Sequence, residues 1–429
     1  MAEFSDSFRA VDWSDPGLRG RVRRRHAQDG WLKAAGIAAL AIAFAMLGIL
    51  VGSLILGGYP AFTQTHATLE FDVTEDYVSP EDPGAGNFRA IVRDAMLELF
   101  PEVTEPRAQR ALADIPSNGA QYSLRDLVVE NPELVGRTVV MAVPVSDPYD
   151  QLAKDLVDRD TAERNRRVSD QGIAWFDRLA ELGLISKPFN WGLFANADSR
   201  FPELAGLKGA LLGSFYALLV CFVLSFPIGI AAAIYLEEFA PKNRLTDIIE
   251  ININNLAAVP SVVFGLLALA VLLGWFGLPR SAPLVGGMTL ALMTLPTIII
   301  ATRAAIKAVP PSIREAALGL GASKHQVVFG HVLPLAMPGI LTGTIIGLAQ
   351  ALGETAPLLL IGMNAFITQA PGGVLDASTA LPTQIFIWAD SPERGFVSRT
   401  SAAICVLLIF LIVMNALAVV LRKRFERRW

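Results

Sequence analysis

Six long apolar runs constrain this chain more than any other feature of its sequence. They cover residues 34–56, 208–236, 256–277, 284–302, 339–362 and 401–421. A helix rises about 1.5 Å per residue, so about 20 apolar residues are enough to cross the hydrocarbon core of a bilayer. With 53% hydrophobic residues among 429 and a mean hydropathy of +0.46, the chain is predicted to be an all-α polytopic membrane protein with six transmembrane helices.

Basic residues predict the orientation of these helices. Five arginines between residues 19 and 25, then Lys33, precede the first run, and no clear cleavage pattern follows it. This arrangement is typical of an uncleaved signal anchor with a cytoplasmic N-terminus. Alternation of six spans places the basic loops and the C-terminal Arg422-Lys423-Arg424 on the same side, so both termini are predicted to be cytoplasmic.

A charged loop separates the fourth apolar run from the fifth. Ser312 precedes Glu315 by three residues, and Ser323 precedes Gln326 by three, which is the spacing of a capping box in each case. The pattern predicts two short helices that are broken near Gly321. Because proline cannot donate a backbone hydrogen bond, the second helix is predicted to end at Pro334.

The same loop carries a recognisable motif. Glu315-Ala316-Ala317, then Gly321, then Leu333-Pro334 resembles the EAA loop of binding-protein-dependent ABC importer permeases, with His331 where an aliphatic residue is usual. We call residues 303–338 the EAA loop. The resemblance implies a coupling helix that docks on a cytoplasmic ATPase. The alternative is a polar helix-turn-helix without a partner.

A second motif lies in the fifth run, at Gln350 and Glu354. A carboxylate inside the membrane costs a few kcal/mol on insertion scales, so Glu354 should face a partner or an aqueous path. Gln350 lies four residues earlier, so both side chains are predicted to share a helix face, where Gln350 could form a hydrogen bond with the carboxyl. The alternative is that Glu354 only ties two helices together. Four prolines interrupt the runs, at Pro227, Pro260, Pro296 and Pro357.

Three stretches, residues 229–236, 254–265 and 353–357, resemble phosphate-specific ABC importer permeases of the PstA type, and the resemblance extends over about 189–424. It implies a type I ABC importer permease core at residues 207–424. Candidate residues of the translocation path are Glu354, Thr355, Gln350, Asn254, Asn255 and Ser261. Many members place an arginine where this chain has Gln350, and most have a much shorter segment after the first span.

The family resemblance also implies partners. They are a second related permease, two copies of a cytoplasmic ATPase that bind ATP and Mg²⁺, a periplasmic phosphate-binding protein, membrane lipid and, in some systems, a sensor kinase. The chain has no G-x-x-x-x-G-K-[ST] phosphate loop, so it is not expected to hydrolyse ATP or to bind a cofactor. No catalytic constellation, metal site or nucleic-acid-binding motif is predicted. The resemblance implies the inner membrane as the location.

The remaining regions follow from these spans. Residues 1–33 are predicted to be a cytoplasmic basic segment, 34–57 the first transmembrane helix, 58–206 an inserted periplasmic domain and 425–429 a cytoplasmic tail. Patterning in the 58–206 domain predicts an α+β fold, with strands at 67–73 and 138–145 and helices at 88–100, 149–159 and 170–184. Cys221 and Cys405 fall inside apolar runs, so no structural disulfide is expected.

Three functions are compatible with the sequence. The first is a permease that imports inorganic phosphate. The second is a permease for another oxyanion, molybdate or sulfate. The third is a membrane-anchored sensor or scaffold that acts through the 58–206 domain, although such a protein would have no need of the EAA loop.

Overall fold

The computed structural model describes residues 16–425, which divide into two compact units at residues 56 and 57. The first unit consists mainly of one helix, α1 (Pro16–Gly58), which contains the predicted first span. In the second unit the helices are α2 (Phe88–Leu99), α3 (Pro106–Ala113), α4 (Gly119–Glu130), α5 (Asp147–Ala153), α6 (Asp170–Glu181), α7 (Gly192–Ala195), α8 (Lys208–Ile234), α9 (Arg244–Ala257), α10 (Ser261–Leu267), α11 (Pro283–Lys307), α12 (Pro311–Gly319), α13 (Lys324–Val327), α14 (Leu333–Gly353), α15 (Ala356–Leu360), α16 (Leu381–Ala389) and α17 (Gly395–Phe425). The strands are β1 (His66–Val73), β2 (Arg137–Pro144) and β3 (Ile185–Ser186). Three π-helical turns, Tyr235–Phe239, Ala268–Trp275 and Val328–Val332, follow α8, α10 and α13.

Five helical segments of the described chain are long and apolar enough to cross a membrane. They are Val22–Phe62, Lys208–Phe239, Pro283–Lys307, Lys324–Gly353 and Gly395–Arg424. The predicted run 256–277 is not one helix, because α9 and the helix from Ser261 to Trp275 meet at an angle of 104°. Pro260 lies at this bend, where its ring restricts the preceding residue to an extended conformation. Six spans result only if this bent pair counts as one.

The other prolines act differently. Pro227 and Pro296 lie inside the continuous helices α8 and α11, and Pro357 is the second residue of α15. The prediction that Pro334 ends a helix is wrong, since α13 runs through its π-helical turn into α14 as one segment. A π-helical turn changes the hydrogen-bond spacing just before Pro334, and such local adjustments allow membrane helices to accommodate proline.

Glycines bring α14 and α11 close together. A Cβ atom on Gly339 would lie 2.7 Å from Cβ of Ala305, and one on Gly343 would overlap Cβ of Ala301. Both glycines face α11 because they are four residues apart on α14. Small residues at such a crossing let two membrane helices approach, which increases their van der Waals contact. The α11–α14 crossing therefore depends on the absence of side chains at these positions.

The 58–206 domain has the predicted α+β character. β1 pairs antiparallel with β2 and β3 in the order β2-β1-β3, and His66 of β1 lies opposite Pro144 of β2. Alternate residues of β1, among them Leu69 and Phe71, are buried in the core that α2, α4 and α6 complete. Both predicted strands and the helices at 88–100 and 170–184 are confirmed.

The patterning in this domain misplaced one helix and missed others. The helix predicted at 149–159 ends at Ala153, and Asp155 nearby has a positive φ of 56°, which a continuing helix cannot contain. α3, α4 and β3 were not predicted. β3 has only two residues, too few for alternation to be visible.

A buried polar network joins the 58–206 domain to α17. Arg399 is 4% exposed and donates hydrogen bonds to the Ala205 carbonyl at 2.5 Å and to Gln64 Oε1 at 3.1 Å. Lys154 donates to Asp150 at 2.6 Å and to the Thr63 carbonyl at 2.7 Å. Buried polar groups need hydrogen-bond partners, so the two contacts of Arg399 hold α17 against the 58–206 domain, while the Lys154 contacts lie within that domain.

The two ends of α8 lie at opposite ends of the helical core. Its first residue, Lys208, follows directly on the 58–206 domain. Its continuation ends at Phe239, which stacks on His325 of α13. Because the segment Lys208–Phe239 has 32 residues, the two ends are about 48 Å apart. The 58–206 domain and the EAA loop therefore lie at opposite ends of the core.

Candidate functional site

The EAA loop folds as two helices that join at Gly321. The Ala322 N–H donates to the Ala317 carbonyl and the Gly321 N–H to the Leu318 carbonyl, which is the Schellman pattern of a helix end. Gly321 has a φ of +85°, a conformation that glycine adopts without strain. The predicted break is confirmed, and so is the capping box in which Ser323 and Gln326 exchange side-chain hydrogen bonds.

The other predicted capping box is wrong. α12 begins at Pro311 with Pro310 at its N-cap, and no side chain caps it. Ser312 therefore already lies within the first helical turn and cannot cap it. Proline is well suited to the first helical position because its φ is already helical and its missing N–H would have no partner there.

The EAA motif has one buried residue and several exposed ones. Ala317 is 7% exposed and packs in a cluster with Ile234 of α8 and Ile306 of α11, to which Leu333 also contributes. In contrast, Glu315, Ala316, Gly321 and Pro334 are exposed. Leu318 and Leu320, on either side of Gly319, are 51% and 90% exposed. The buried alanine holds the loop on the core, and an exposed surface with a carboxylate and two leucines remains for a partner.

Arg314 ties α12 to the end of α8. Its Nη2 lies 2.9 Å from Glu238 Oε1, and its Nε lies 3.1 Å from the same oxygen. It also donates to the carbonyls of Ile306 and Val309, at 2.9 and 2.7 Å. The side chains of Arg314 and Glu238 are 22% and 10% exposed, so this contact is shielded from solvent more than an ordinary surface ion pair.

Neighbouring contacts complete this joint. Arg303 of α11 lies between Glu237, at 3.4 Å, and Glu250 of α9, at 2.6 Å. Phe239 stacks on His325 with ring centroids 4.8 Å apart, and Lys324 Nζ lies over the Phe239 ring, 5.3 Å from its centroid. We call Glu237, Glu238 and Phe239 the α8 joint.

The α8 joint contacts both helices of the EAA loop, so a displacement of either helix would be passed directly to α8. The motif itself did not reveal these residues. The signal that could have found them is the pair Glu237-Glu238 at an end of the core where the other loops are basic. Carboxylates at such a position need cations, and the EAA loop supplies them.

Glu354 lies at a helix break and not inside a helix. α14 ends at Gly353, and Glu354 has an extended backbone with a φ of −74° and a ψ of 125°. The predicted hydrogen bond from Gln350 on the same helix face is therefore wrong, since Gln350 is exposed and the helix stops before Glu354. The Glu354 carboxylate is half-buried and forms no ion pair with any residue between 16 and 425.

Two broken helices meet beside Glu354. Gly265 of α10 packs so closely on α15 that a Cβ atom there would lie 2.7 Å from Cα of Pro357. Ser261 begins α10, and Thr355 immediately precedes α15. Both are half-buried. The structure therefore packs α10, which begins at Ser261, on α15, which directly follows Glu354 and Thr355.

Asn254 and Asn255 are placed differently. Both lie near the end of α9, where they are exposed, and neither side chain forms a hydrogen bond with a described residue. They precede the bend at Pro260, and neither forms a hydrogen bond with Glu354 in the described chain. The arrangement offers carboxylate, hydroxyl and amide groups along two interrupted helices. It offers an ion or polar solute hydrogen-bonding groups, but no nucleophile paired with a base.

Comparison with known proteins identifies two regions. Residues 225–429 match the family described as binding-protein-dependent transport system inner membrane component, and residues 19–163 match a domain of unknown function, DUF3333. The chain is 35% identical over 158 residues to the probable ABC transporter permease protein YqgI of Bacillus subtilis, which is 36% of this chain and 52% of that protein. It is 32% identical over 225 residues to the phosphate transport system permease protein PstA 1 of Mycobacterium tuberculosis, which is 52% of this chain and 72% of that protein.

A solved structure of the MetNI methionine ABC transporter is 19% identical with a TM-score of 0.39, covering 50% of this chain and 95% of the other.

Proposed function

Because the chain belongs to the family of binding-protein-dependent transport system inner membrane components, the permeases of ABC importers, we propose that it imports inorganic phosphate across the inner membrane. Relatives that are named as phosphate transport permeases support this substrate. As a permease it is a transport subunit without catalytic activity of its own.

The observation that carries this proposal is the EAA loop. Ala317 fixes the loop to the core while Glu315, Leu318 and Leu320 stay exposed, and the α8 joint connects both loop helices to α8. In our proposal an ATPase subunit binds the exposed residues from the cytoplasm. Closure of two ATPase subunits on ATP and Mg²⁺ moves the loop, and the helices of the core shift as rigid bodies.

The proposed complex contains this chain, a second related permease, two ATPase subunits and a periplasmic phosphate-binding protein, within membrane lipid. A sensor kinase is a further proposed contact. Both termini and the EAA loop are cytoplasmic in this proposal. The 58–206 domain is then periplasmic, since it lies at the opposite end of the core from the EAA loop.

We place the substrate path at the interrupted helices. Glu354 at the α14–α15 break, with Thr355 and Ser261, contributes a half-buried polar surface, and the exposed Gln350, Asn254 and Asn255 extend it. A carboxylate repels a phosphate anion, so Glu354 in this proposal is paired with a cation of the second permease. An unpaired charge this deep in a membrane protein is otherwise costly.

The proposal is tested by uptake of radiolabelled phosphate into vesicles that contain the whole complex. Glu315→Lys, on the exposed loop surface, is compared with Glu98→Lys, on an exposed position of α2. We expect Glu315→Lys to abolish uptake while the complex still assembles, and Glu98→Lys to leave uptake unchanged.

Competition identifies the substrate in the same assay. Molybdate and sulfate should not displace phosphate. If phosphate never accumulates with the native complex, the permease transports another oxyanion. Deletion of residues 65–185 tests the third function, a membrane-anchored sensor or scaffold. A protein of that kind would lose signalling while phosphate uptake stayed intact.

A further inference from the structure

A large polar cleft opens on the 58–206 domain. Its volume is about 1500 Å³, and its lining comes from helices α2 to α5, from Arg167 and Ser169 just before α6, and from residues 200–203 and Glu393. Glu393 lies just before α17, so the cleft spans the junction between the domain and the helical core. No residue of the EAA loop and none of the candidate path residues lines this cleft.

Arginine is the main charged residue of the cleft. Five arginines line it, Arg89, Arg93, Arg110, Arg167 and Arg200. Arg93 pairs with Asp94 and Arg167 pairs with Glu393. Arg89, Arg110 and Arg200 form no ion pair with a residue in the described range 16–425, and all three are exposed. The Arg200 guanidinium also lies over the Phe366 ring, 5.5 Å from its centroid. Three guanidinium groups therefore have no carboxylate partner among the described residues.

The carboxylates of the cleft are mostly engaged. Asp147 and Glu203 are each 7% exposed, and they accept hydrogen bonds from Gln151 at 2.8 Å and from Ser117 at 2.6 Å. Glu393 is occupied by Arg167. Asp114 is the one lining carboxylate that is exposed without a cation among the described residues. The rim thus presents three unpaired arginines against one unpaired carboxylate.

This concentration of arginine contrasts with the rest of the domain, where acidic residues outnumber basic ones. Exposed charges are screened beyond about 8 Å at physiological ionic strength, so acidic residues elsewhere in the domain have little effect inside the cleft. The lining arginines therefore determine the electrostatic potential there. Three helices of 12 residues each also begin at its wall, after Asn87, Asn118 and Ser169. The N-terminal ends of their dipoles add to the positive potential.

We propose that this cleft is the docking site for an acidic segment of a protein partner on the side of the membrane opposite the EAA loop. The volume exceeds the roughly 300–1000 Å³ of typical small-molecule sites and is far larger than one inorganic anion needs. Arginine binds carboxylates through two parallel hydrogen bonds, so side chains of aspartate and glutamate match the rim. The floor of the cleft is fixed to α17, because Gly395 of α17 packs against Asp147.

The test uses the full-length chain in nanodiscs of zwitterionic lipid and a fluorescein-labelled hexaglutamate peptide as the probe. Binding is measured by fluorescence anisotropy for the native chain and for the triple variant R89Q/R110Q/R200Q. The matched control is R107Q/R137Q/R164Q, which removes the same charge from exposed arginines of the domain outside the cleft. We expect the cleft variant to bind at least about tenfold more weakly than the control, and native binding to weaken with added salt.

Equal weakening in the two triple variants would overturn the proposal, because the attraction would then be a property of the whole domain. Full displacement of the peptide by millimolar inorganic phosphate would overturn it as well, in favour of a small-anion site. If the cleft variant does not fold, Asn118→Cys at the exposed cleft wall replaces it. The peptide should then protect this cysteine from maleimide in an otherwise native chain, and an unprotected cysteine would refute docking.

Discussion

Arg314 and Glu238 connect the EAA loop to α8 across 76 positions of sequence, with Nη2 and Oε1 2.9 Å apart. Arg314 also satisfies the carbonyls of Ile306 and Val309 at the end of α11. One guanidinium therefore joins three helices, and no other cation among residues 16–425 pairs with Glu238. A lysine, with one nitrogen, could not make all these contacts at once.

The first prediction concerns this contact. Arg314→Gln and Glu238→Gln should each lower transport and raise the number of ATP molecules hydrolysed per phosphate imported. Either variant removes the ion pair that connects the EAA loop to α8. Hydrogen bonds to charged groups contribute about 1.5–3 kcal/mol, so each loss should also be visible as a lower melting temperature. Arg125→Gln removes an arginine from an exposed pair with Asp126 and is the matched control, which should change neither quantity.

The charge-swapped variant Arg314→Glu with Glu238→Arg sharpens this test. It restores opposite charges but leaves the carbonyls of Ile306 and Val309 facing a carboxylate. We therefore expect it to stay defective. Full recovery would mean that only the ion pair matters and that the contacts to α11 do not.

The second prediction concerns Leu320, which is 90% exposed beside Gly321. Leu320→Asp should leave the melting temperature unchanged, since the side chain is almost fully exposed in the described part of the chain. It should weaken binding of the ATPase subunit by 2 kcal/mol or more, about the effect of a central interface residue. Co-purification of the ATPase measures this. Leu182→Asp, 56% exposed on the 58–206 domain, is the control, and an equal loss there would contradict the assignment.

Local patterns in the sequence predicted the elements whose hydrogen bonds are local. Ser323 and Gln326 form a capping box because the two residues satisfy each other, and Gly321 ends α12 through its own backbone. β1 and β2 were predicted because alternation reports which face is buried. Ser312 matched the same capping pattern and does not cap, since the neighbouring Pro311 already begins the helix.

What could not be predicted depends on contacts between distant segments. Glu238 meets Arg314 only after α8 and α12 are packed together, and Arg399 meets Gln64 across 335 positions. Pro334 is tolerated because a π-helical turn precedes it, which no spacing rule indicates. Pro357 in the first turn of α15 is a sequence signal near the break at Glu354, but the packing of α15 on Gly265 of α10 depends on the fold.

The third prediction concerns the α11–α14 crossing. Gly343→Ala should destabilise the chain by about 1–3 kcal/mol, because the added methyl group overlaps Cβ of Ala301. Ala301→Gly should compensate in the double variant, since it removes the atom that the new methyl group meets. Thermal unfolding in detergent of the two single variants and the double variant measures this coupling. Additive losses in the double variant would show that the two positions are not in contact.

The fourth prediction concerns Glu354. Glu354→Gln should lower phosphate uptake about tenfold, equivalent to about 1.4 kcal/mol, if its charge is paired with the second permease. It should leave the stability of the isolated chain unchanged, because no described residue forms an ion pair with it. Glu98→Gln is the control. If uptake is unchanged, Glu354 is not part of the translocation path, and the assignment of the chain to the permease family still stands.

The fifth prediction concerns Glu203, which is buried at the floor of the cleft. Burial raises the pKa of Glu203 above the ordinary value of 4.5, and the hydrogen bond from Ser117 opposes this only in part. The folded chain therefore binds this proton more tightly than the unfolded chain does. Its contribution to the free energy of unfolding is fully present below about pH 4.5 and falls as the pH rises through the folded pKa.

Glutamine keeps the shape of Glu203 and the acceptor for Ser117 but never ionises. Glu203→Gln should therefore raise the melting temperature relative to the native chain at about pH 8, and this difference should vanish near pH 4. Glu163→Gln, at an exposed position, is the control and should show no such trend. A variant that is less stable than the native chain at high pH would show that the ionised carboxylate is stabilised at this site, with buried Arg399 as its counter-ion.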